Sequence, residues 1–472
     1  MHQHVIAESF HYQGAFGDLR LEKRAEQILS AMYRRETAVI NQFSETRAEI
    51  VGHSRFFNNE MVGEDELIVE AACRSSGFSA GRHILAIQDT TECNYQAHRS
   101  FFDGDDPCIG PVGNNRDIGF FLHPTLVVDA VDGFPLGLAH IEVFNREFGH
   151  QTKQERGYTS QPIEQKESYR WISSSVATQS SQDKASSITI IADREADIYE
   201  EFVRIPDSRT HLLIRALQNR LLYDHDEKLF EYVASQPVQE SYTFKIQSSQ
   251  KHRKPRDAEM EVRFCKVKLC RPKNSPHKES AAFVEVWVVE AKECSTSVPS
   301  GEKPVLWRLL TTHPIESVCD ARQIIQWYRW RWLIEQLFRL LKRKGLNVEE
   351  SQLESGAALR KLVIMALSVA LTILQLTCDR EGQAGRDGSV AFSSDELQCM
   401  EKIMPHYEGK TKAQQNPYLV RSLAWAAWLI GRLGGWKGYR KASPAGPITM
   451  KRGLERFEMI YSGWILSRTL LE

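Results

Sequence analysis

Apolar residues recur at two periods along this chain, and the change of period divides it. Near the N-terminus Leu19, Leu21, Ile28, Leu29 and Met32 keep helical spacing, which predicts an amphipathic helix from about Asp18. That helix carries Arg20, Lys23, Arg24, Arg34 and Arg35, and a second helical stretch follows around Glu45–Asn58. From about residue 80 the pattern shortens to β runs: HILAIQ (83–88), TLVVDA (125–130), LGLAHIEVF (136–144), ITIIAD (188–193) and HLLIRAL (211–217). Asp132-Gly133 supplies a hairpin signal between the second and third runs. Helical stretches interleave at about 162–180 and 196–204.

Strands with helices between them, three strands being consecutive, predict an α/β fold in which helices cover a mixed sheet. SYTFKIQSS, EMEVRFCKVKLC and FVEVWVVEAKE break that rhythm and predict a mostly β insertion over about 220–305. A long helix is expected from about Ser317 to Lys344, then an apolar helix to about Asp379. Residues 380–392 are rich in Gly, Asp and Ser and read as a linker. The remainder reads as helical, with a Gly/Pro/Lys-rich break at 434–447. The expected organisation is therefore a helical segment 1–75, an α/β domain 76–379 and a helical segment 380–472. On pattern alone, residues 1–75 fit a small DNA-binding domain and a protein-interaction bundle equally.

Composition narrows this picture in one respect. The chain has 472 residues, and its 60 Lys+Arg against 61 Asp+Glu give a formal net charge of -1. That balance argues against a uniformly basic nucleic-acid binder without excluding a binder, because DNA responds to local basic surface. Residues 241–280 hold eleven Lys and Arg, from Lys245 to Lys278, against Asp257, Glu259, Glu261 and Glu279, a local +7. Such a run fits either a solvated loop or a phosphate-facing surface.

The nine cysteines form no C-x-x-C pair and fit reduced thiols in the cytosol. The opening MHQHVIAESF has no basic-then-apolar signal pattern. The apolar run Leu362 to Thr377 contains Ser368, Thr372, Gln375 and Thr377, and it falls short of the ~20 apolar residues of a membrane span. A soluble, cytoplasmic protein without a membrane partner is expected.

Three acids carry the candidate chemistry. Asp89 ends the run ILAI in QDTTECNY, and Asp193 ends ITIIA in ADREADIY. Strand ends expose side chains at the C-terminal edge of a sheet, although a single Asp there is more often a turn-former or helix cap. Glu335 lies on the predicted long helix. With Tyr328 at 0°, Arg331 falls at about 300°, Glu335 at about 340° and Lys342 at about 320°. Trp330, Leu333, Ile334, Leu337, Leu340 and Leu341 lie opposite. The helix should bury that apolar face and present a Tyr-Arg-Glu-Lys stripe. An ordinary amphipathic helix with an i, i+4 Arg–Glu pair has the same pattern. A groove holding a metal and a phosphodiester would use it fully.

If Asp89, Asp193 and Glu335 meet, their charges need a cation. Two carboxylates about 5 Å apart repel by about 3 kcal/mol at an effective dielectric near 20. Oxygen-only ligands favour Mg²⁺, or Mn²⁺, and two such ions suit in-line phosphoryl displacement. His83, His123 and His140 lie in or beside strand runs with no ligand spacing and read as structural.

At these residues the sequence resembles a known family. Tyr328-x2-Arg331-x3-Glu335-x6-Lys342 is similar to the Y-(2)-R-(3)-E-(6)-K signature of the insertion-sequence-four DDE transposases. QDTTECNY and ADREADIY resemble that family's first two acidic motifs. FGDLRLEKRAEQIL and HSRFFNNEMV resemble the end-binding helical domain of its transposon-five branch, and LGGWKGYRKASPAGPITMKRGLERF its C-terminal dimerisation region.

The resemblance implies an RNase H-like catalytic domain with Asp89, Asp193 and Glu335 as metal ligands. It implies a homodimer pairing two terminal inverted repeats of double-stranded DNA, each active site acting on the end bound by its partner. Water would first liberate a 3′-OH, which would cut the second strand through a hairpin and later attack target DNA. Tyr328, Arg331 and Lys342 would hold terminal phosphates, and Trp307 and Trp332 would be candidates to stack on an unpaired base, Trp307 fitting core packing next to Leu309 equally well. Arg215 is a further phosphate-contact candidate, and Arg20, Lys23 and Arg24 are candidates for end binding. A nuclease or resolvase of the same chemistry, and a non-catalytic end-binding regulator, are the competing readings.

Overall fold

The computed structural model describes residues 12–35, 37–102, 106–113, 115–149, 161–246, 255–342, 345–438 and 443–471. The opening MHQHVIAESF, Lys251, Arg253 and Lys254 of the basic stretch, and residues 439–442 of the C-terminal motif lie outside the described residues.

Along the chain come α1 (Leu19–Arg35), α2 (Ile40–Phe43), α3 (Arg47–Phe57), α4 (Glu64–Ser79), β1 (His83–Gln88), β2 (Thr91–Asn94), β3 (Gly110–Val112), β4 (Asp117–Asp129) and β5 (Pro135–Phe144). There follow α5 (Tyr169–Ser181), β6 (Ser187–Ala192), α6 (Tyr199–Arg204), β7 (Thr210–Arg215), α7 (Leu229–Ser235), β8 (Glu240–Ile246), β9 (Arg256–Cys270), β10 (Phe283–Glu293) and β11 (Leu306–Thr311). The last helices are α8 (Val318–Trp330), α9 (Trp332–Leu341), α10 (Gly356–Cys378), α11 (Ser394–Tyr407), α12 (Leu423–Leu433) and α13 (Pro447–Leu471). The fold is mixed α/β.

The chain divides into two compact units, one of Met1–Ser79, Thr90–His150 and Leu333–Glu472, the other of Ala80–Asp89 and Gln151–Trp332. The two units interleave along the sequence.

In the first unit β4 pairs antiparallel with β2, β3 and β5. β4 is longer than the expected run at 125–130, because Ile118 to Asp129 is buried throughout and so lacks the alternation that marks a strand in sequence. The β4–β5 turn is the one expected: Gly133 has φ 77°, and the Asp132 carboxylate accepts the Phe134 N–H at 2.9 Å. α4 lies on β5, and at Gly137 a Cβ would meet the Ser75 Cβ at 2.6 Å, so glycine permits this approach.

α10 is the hub, touching α1, α3, α4, α12, α13 and β5. By length and composition it could cross a membrane, yet 89% of its apolar window is buried inside the protein. Its polar residues find partners there: Thr372 meets the Tyr33 hydroxyl at 2.9 Å, and Gln375 donates to the Pro135 carbonyl at 3.1 Å. Each buried Leu or Ile adds roughly 1.5–3 kcal/mol. Core packing, not lipid, accounts for the apolar run.

In the second unit β1, β6 and β7 are parallel, and β11, β10, β9 and β8 continue the sheet antiparallel from β7. The stretch 220–305 is therefore an extension of the sheet, joined through β11, a strand the sequence reading left unmarked. α5 packs on β1, α7 on β9 and β10, and α8 on β10.

The expected single helix from Ser317 to Lys344 is interrupted. Ser317 caps α8 in a reciprocal capping box with Asp320, and α8 ends at Trp330. The Arg331 N–H then reaches back only three residues, to the Tyr328 carbonyl at 3.1 Å, before α9 begins. The uniform wheel fails at this tightened turn. Tyr328 is 5% exposed, not part of a solvent stripe, and Trp330 is half-exposed where burial was expected.

Candidate active site

Asp89 and Asp193 both belong to the second unit, each just past the end of a parallel strand. The β1–β6 register runs to Ile87 beside Ile191, and two more places set Asp89 beside Asp193. The β6–β7 register runs to Ala192 beside Ile214, and one more place sets Asp193 beside Arg215. Asp89, Asp193 and Arg215 thus form a row across three parallel strand ends, with neighbouring strands about 4.7–4.9 Å apart. Apolar strands HILAIQ and SITIIA, buried on both faces, fix that register.

Asp193 takes the capping role its position allows. Its Oδ1 accepts the Glu195 N–H at 2.8 Å, capping a short 3₁₀ turn. Asp89 Oδ2 accepts from Arg331 Nη1 at 2.8 Å, and both side chains are shielded, 20% and 11% exposed. Arg331 also lies over the ring of Trp332 at 5.9 Å, and Trp332 is 56% exposed.

Tyr328 packs edge-on against Trp307, with ring centroids 6.3 Å apart, and bonds to Arg215. Burial raises the phenol's pKa, while the Arg331 and Arg215 guanidiniums oppose that shift. Tyr328 is therefore a neutral hydrogen-bond donor at physiological pH. Arg215 also donates to the Leu306 carbonyl at 3.0 Å.

Residues that the sequence reading passed over hold this row in place. Asp197, 7% exposed, accepts the Leu217 and Gln218 N–H groups at 2.8 and 2.7 Å and pairs with Arg220 at 2.7 Å. It ties the loop after β6 to the loop after β7. Behind Asp89, the buried Gln88 amide bonds to the Ser175 hydroxyl at 2.9 Å, and Ser175 donates to Glu201 at 3.4 Å. Burial pushes the Glu201 carboxyl up to about 8. The available signal for Asp197 was an acid enclosed by Ala196 and Ile198.

The remaining predicted residues belong to the first unit. Glu335 is half-buried on α9, beside the buried Leu333, Ile334 and Leu337. Lys342 donates to the Glu92 carbonyl and pairs with Glu349 at 3.5 Å, so a phosphate would have to displace these partners. Arg20 is 91% exposed and paired with Asp18 at 2.9 Å. Lys23 is exposed, whereas the Arg24 guanidinium packs within 3.2 Å of where a Gly52 Cβ would stand on α3. The basic face of α1 is thus divided between solvent and the α1–α3 contact.

The basic stretch also changes character. Arg256 pairs with Glu293 and Glu302 at 2.7 and 2.6 Å, Lys266 with Glu285 at 2.9 Å, and Lys268 with Asp224 at 2.8 Å. Acids from outside the 241–280 window thus pair with three of its eleven cations.

Among the described residues no three His, Cys, Asp or Glu side chains are arranged to hold a metal ion. The Asp89–Asp193 pair still fits a hard divalent cation chemically: two carboxylates in register offer only oxygen donors, and Arg331 and Arg215 partly offset their mutual repulsion.

The chain is similar to a solved piggyBac transposase in a synaptic complex with hairpin DNA, at 11% identity and a TM-score of 0.32, covering 64% of this chain and 48% of that one. The chain thus spans about half the length of that protein. The family model of the transposase DDE domain matches residues 176–372, a span that holds Asp193, Arg215, Tyr328, Arg331, Glu335 and Lys342, and it supports a DDE transposase family for this chain.

Proposed function

We propose that this protein is a DNA transposase of the insertion-sequence-four kind, transposon-five branch, and that Asp89, Asp193 and Glu335 form its metal-binding catalytic centre. One observation carries the proposal: Asp89 and Asp193 occupy neighbouring places at the ends of parallel strands, in a chain matching the transposase DDE domain. Domains of that family generally use divalent metal ions. The spacing of Tyr328, Arg331, Glu335 and Lys342 supports Glu335 as the third ligand.

Mg²⁺ or Mn²⁺ ions, two per site, would supply activation of the attacking oxygen and stabilisation of the leaving one. The chain's own groups do the rest. Arg331 and Arg215 hold phosphate oxygens by charge-assisted bonds, Arg331 exchanging its Asp89 contact for DNA. Tyr328, kept neutral, donates one further bond. Trp307 and Trp332 stack on an unpaired base, and Lys342, Arg20, Lys23 and Arg24 contact the DNA backbone. The RNase H-like domain, a homodimer on paired inverted repeats, end binding by residues 1–75, dimerisation through 380–472, excision through a hairpin and a nucleoid-associated cytoplasmic setting complete the reading.

The test is cleavage of a plasmid carrying the element's own flanking ends, with Mg²⁺ or EDTA, by wild type and Asp193→Ala. Metal-dependent release of hairpin-ended DNA, lost in the variant, is expected. Specific end binding without cleavage would make the protein a regulator. Cleavage without joining of a pre-cut 3′-OH to target DNA would make it a nuclease.

A further inference from the structure

The second unit carries a line of alternating aromatic rings and guanidiniums that leads away from the acidic row. Alternation on β8 puts Tyr242 and Phe244 on one face, both half-buried. On α8, Arg322 and Arg329 stand two turns apart on one side and are exposed. The two elements meet ring against cation: Arg322 lies 5.0 Å from the Tyr242 ring centre, and Arg329 lies 4.9 Å from that of Phe244. Phe244 in turn packs edge-on against Trp307 at 5.9 Å, and Trp307 touches Tyr328 beside Arg215.

Each contact alone would be ordinary surface packing. One exposed cation on a ring contributes roughly 0.5–1 kcal/mol. The succession is different, because it places charge and π-faces in alternation and ends at the side chains around Asp89 and Asp193. Backbone-tracking cations with interleaved aromatic rings are what unpaired nucleotides require: every base offers a π-face, and every linkage a phosphate. The β9 cations are mostly answered by acids, so the general +7 does not account for this line. Arg322 does pair with Glu240 at 2.6 Å, and Arg329 Nη1 donates to Gln326 at 2.9 Å, which holds both planes against their rings.

Resting on the transposase reading above, we infer that Tyr242, Phe244, Arg322 and Arg329, continuing from Trp307, form a track for single-stranded DNA displaced from the duplex end near the acidic row. The track binds by stacking and phosphate contact without reading base edges. Duplex DNA, whose bases are already stacked on each other, gains little from it.

The test compares the full-length protein with Phe244→Leu, which keeps an apolar side chain, and Arg329→Ala. Fluorescence anisotropy with a single-stranded oligothymidine of about twelve nucleotides, within the ~4–16 such grooves cover, is set against a duplex of the same length across a salt series. Phe244→Leu is expected to weaken single-strand binding about 5- to 100-fold, with duplex binding changed less than about twofold and an unchanged thermal midpoint. Arg329→Ala should make the slope of log affinity against log salt shallower by about 0.7 for the single strand. Folded variants that bind the oligonucleotide as wild type does overturn the track and leave these contacts as a latch between α8 and β8. If wild type still cuts element ends with Mg²⁺, that failure leaves the transposase reading intact. If the variants lose single-strand binding but wild type never cuts, the track stands and the catalytic reading falls. Wild type that binds neither probe overturns both.

Discussion

Asp193 shows how one side chain serves two demands. Its Oδ1 caps a 3₁₀ turn, a role Asn fills equally well, while its charge stands beside that of Asp89. Such juxtaposed charge costs stability until a cation compensates it. Asp193→Asn should therefore abolish cleavage yet raise the thermal midpoint of the metal-free protein. With Arg331 and Arg215 already offsetting part of the repulsion, the gain should be roughly 1 kcal/mol. Calorimetry in EDTA checks it, and a lowered midpoint would mean that the carboxylate is chiefly structural. The sequence made both roles legible, since an Asp ending a strand is a cap or a ligand. The fold shows the cap.

At the scale of elements, the sheet past β7 depends on charge pairing that a linear window hides. Arg256 on β9 is clamped between Glu293 on β10 and Glu302, and Glu293 is fully shielded. Arg256 holds the Glu293 carboxyl below its usual range. Truncating one member of a buried pair leaves the other charge uncompensated. Glu293→Ala should cost about 3 kcal/mol, the low end of the range for such pairs because Glu302 still faces Arg256. The urea unfolding midpoint measures this, and a shift equivalent to under about 0.5 kcal/mol, typical of an exposed pair, would contradict it. The break between α8 and α9 is also an element-scale fact. Helical periodicity located apolar positions on both helices but treated them as one uninterrupted helix. Packing against Trp307 and Arg215 buries Tyr328, three residues before the tightened turn at Arg331.

For the whole molecule, two buried clusters of the second unit set opposing pH limits on stability. His83, His211 and His313 gather around Thr189 under Trp327, the His211 and His313 rings stacked at 3.9 Å. Burial, then the neighbouring imidazoles, push His313 down to about 3. Asp207 works against a lesser fall at His211. A depressed histidine favours the fold above its ordinary pKa of about 6.5, and that support is lost as pH falls from there toward 3. Glu201, raised to about 8, acts in the opposite sense: its support is complete below the ordinary carboxyl range and is lost as pH climbs through 8. Each pH unit in that window removes up to about 1.4 kcal/mol. Glu201→Gln should therefore melt increasingly above wild type between pH 5 and 8, and parallel melting curves would refute the assignment. The sequence by itself determined the strands ending in Asp89 and Asp193, the apolar faces of the last helices and the spacing from Tyr328 to Lys342, because periodicity and strand ends are local properties. Only the tertiary structure decided that Asp89 lies beside Asp193 and Arg215, that acids from other segments quiet the basic stretch, and that Tyr328 is buried. Those outcomes depend on strand register and cross-strand neighbours, which distant residues set and no local pattern records.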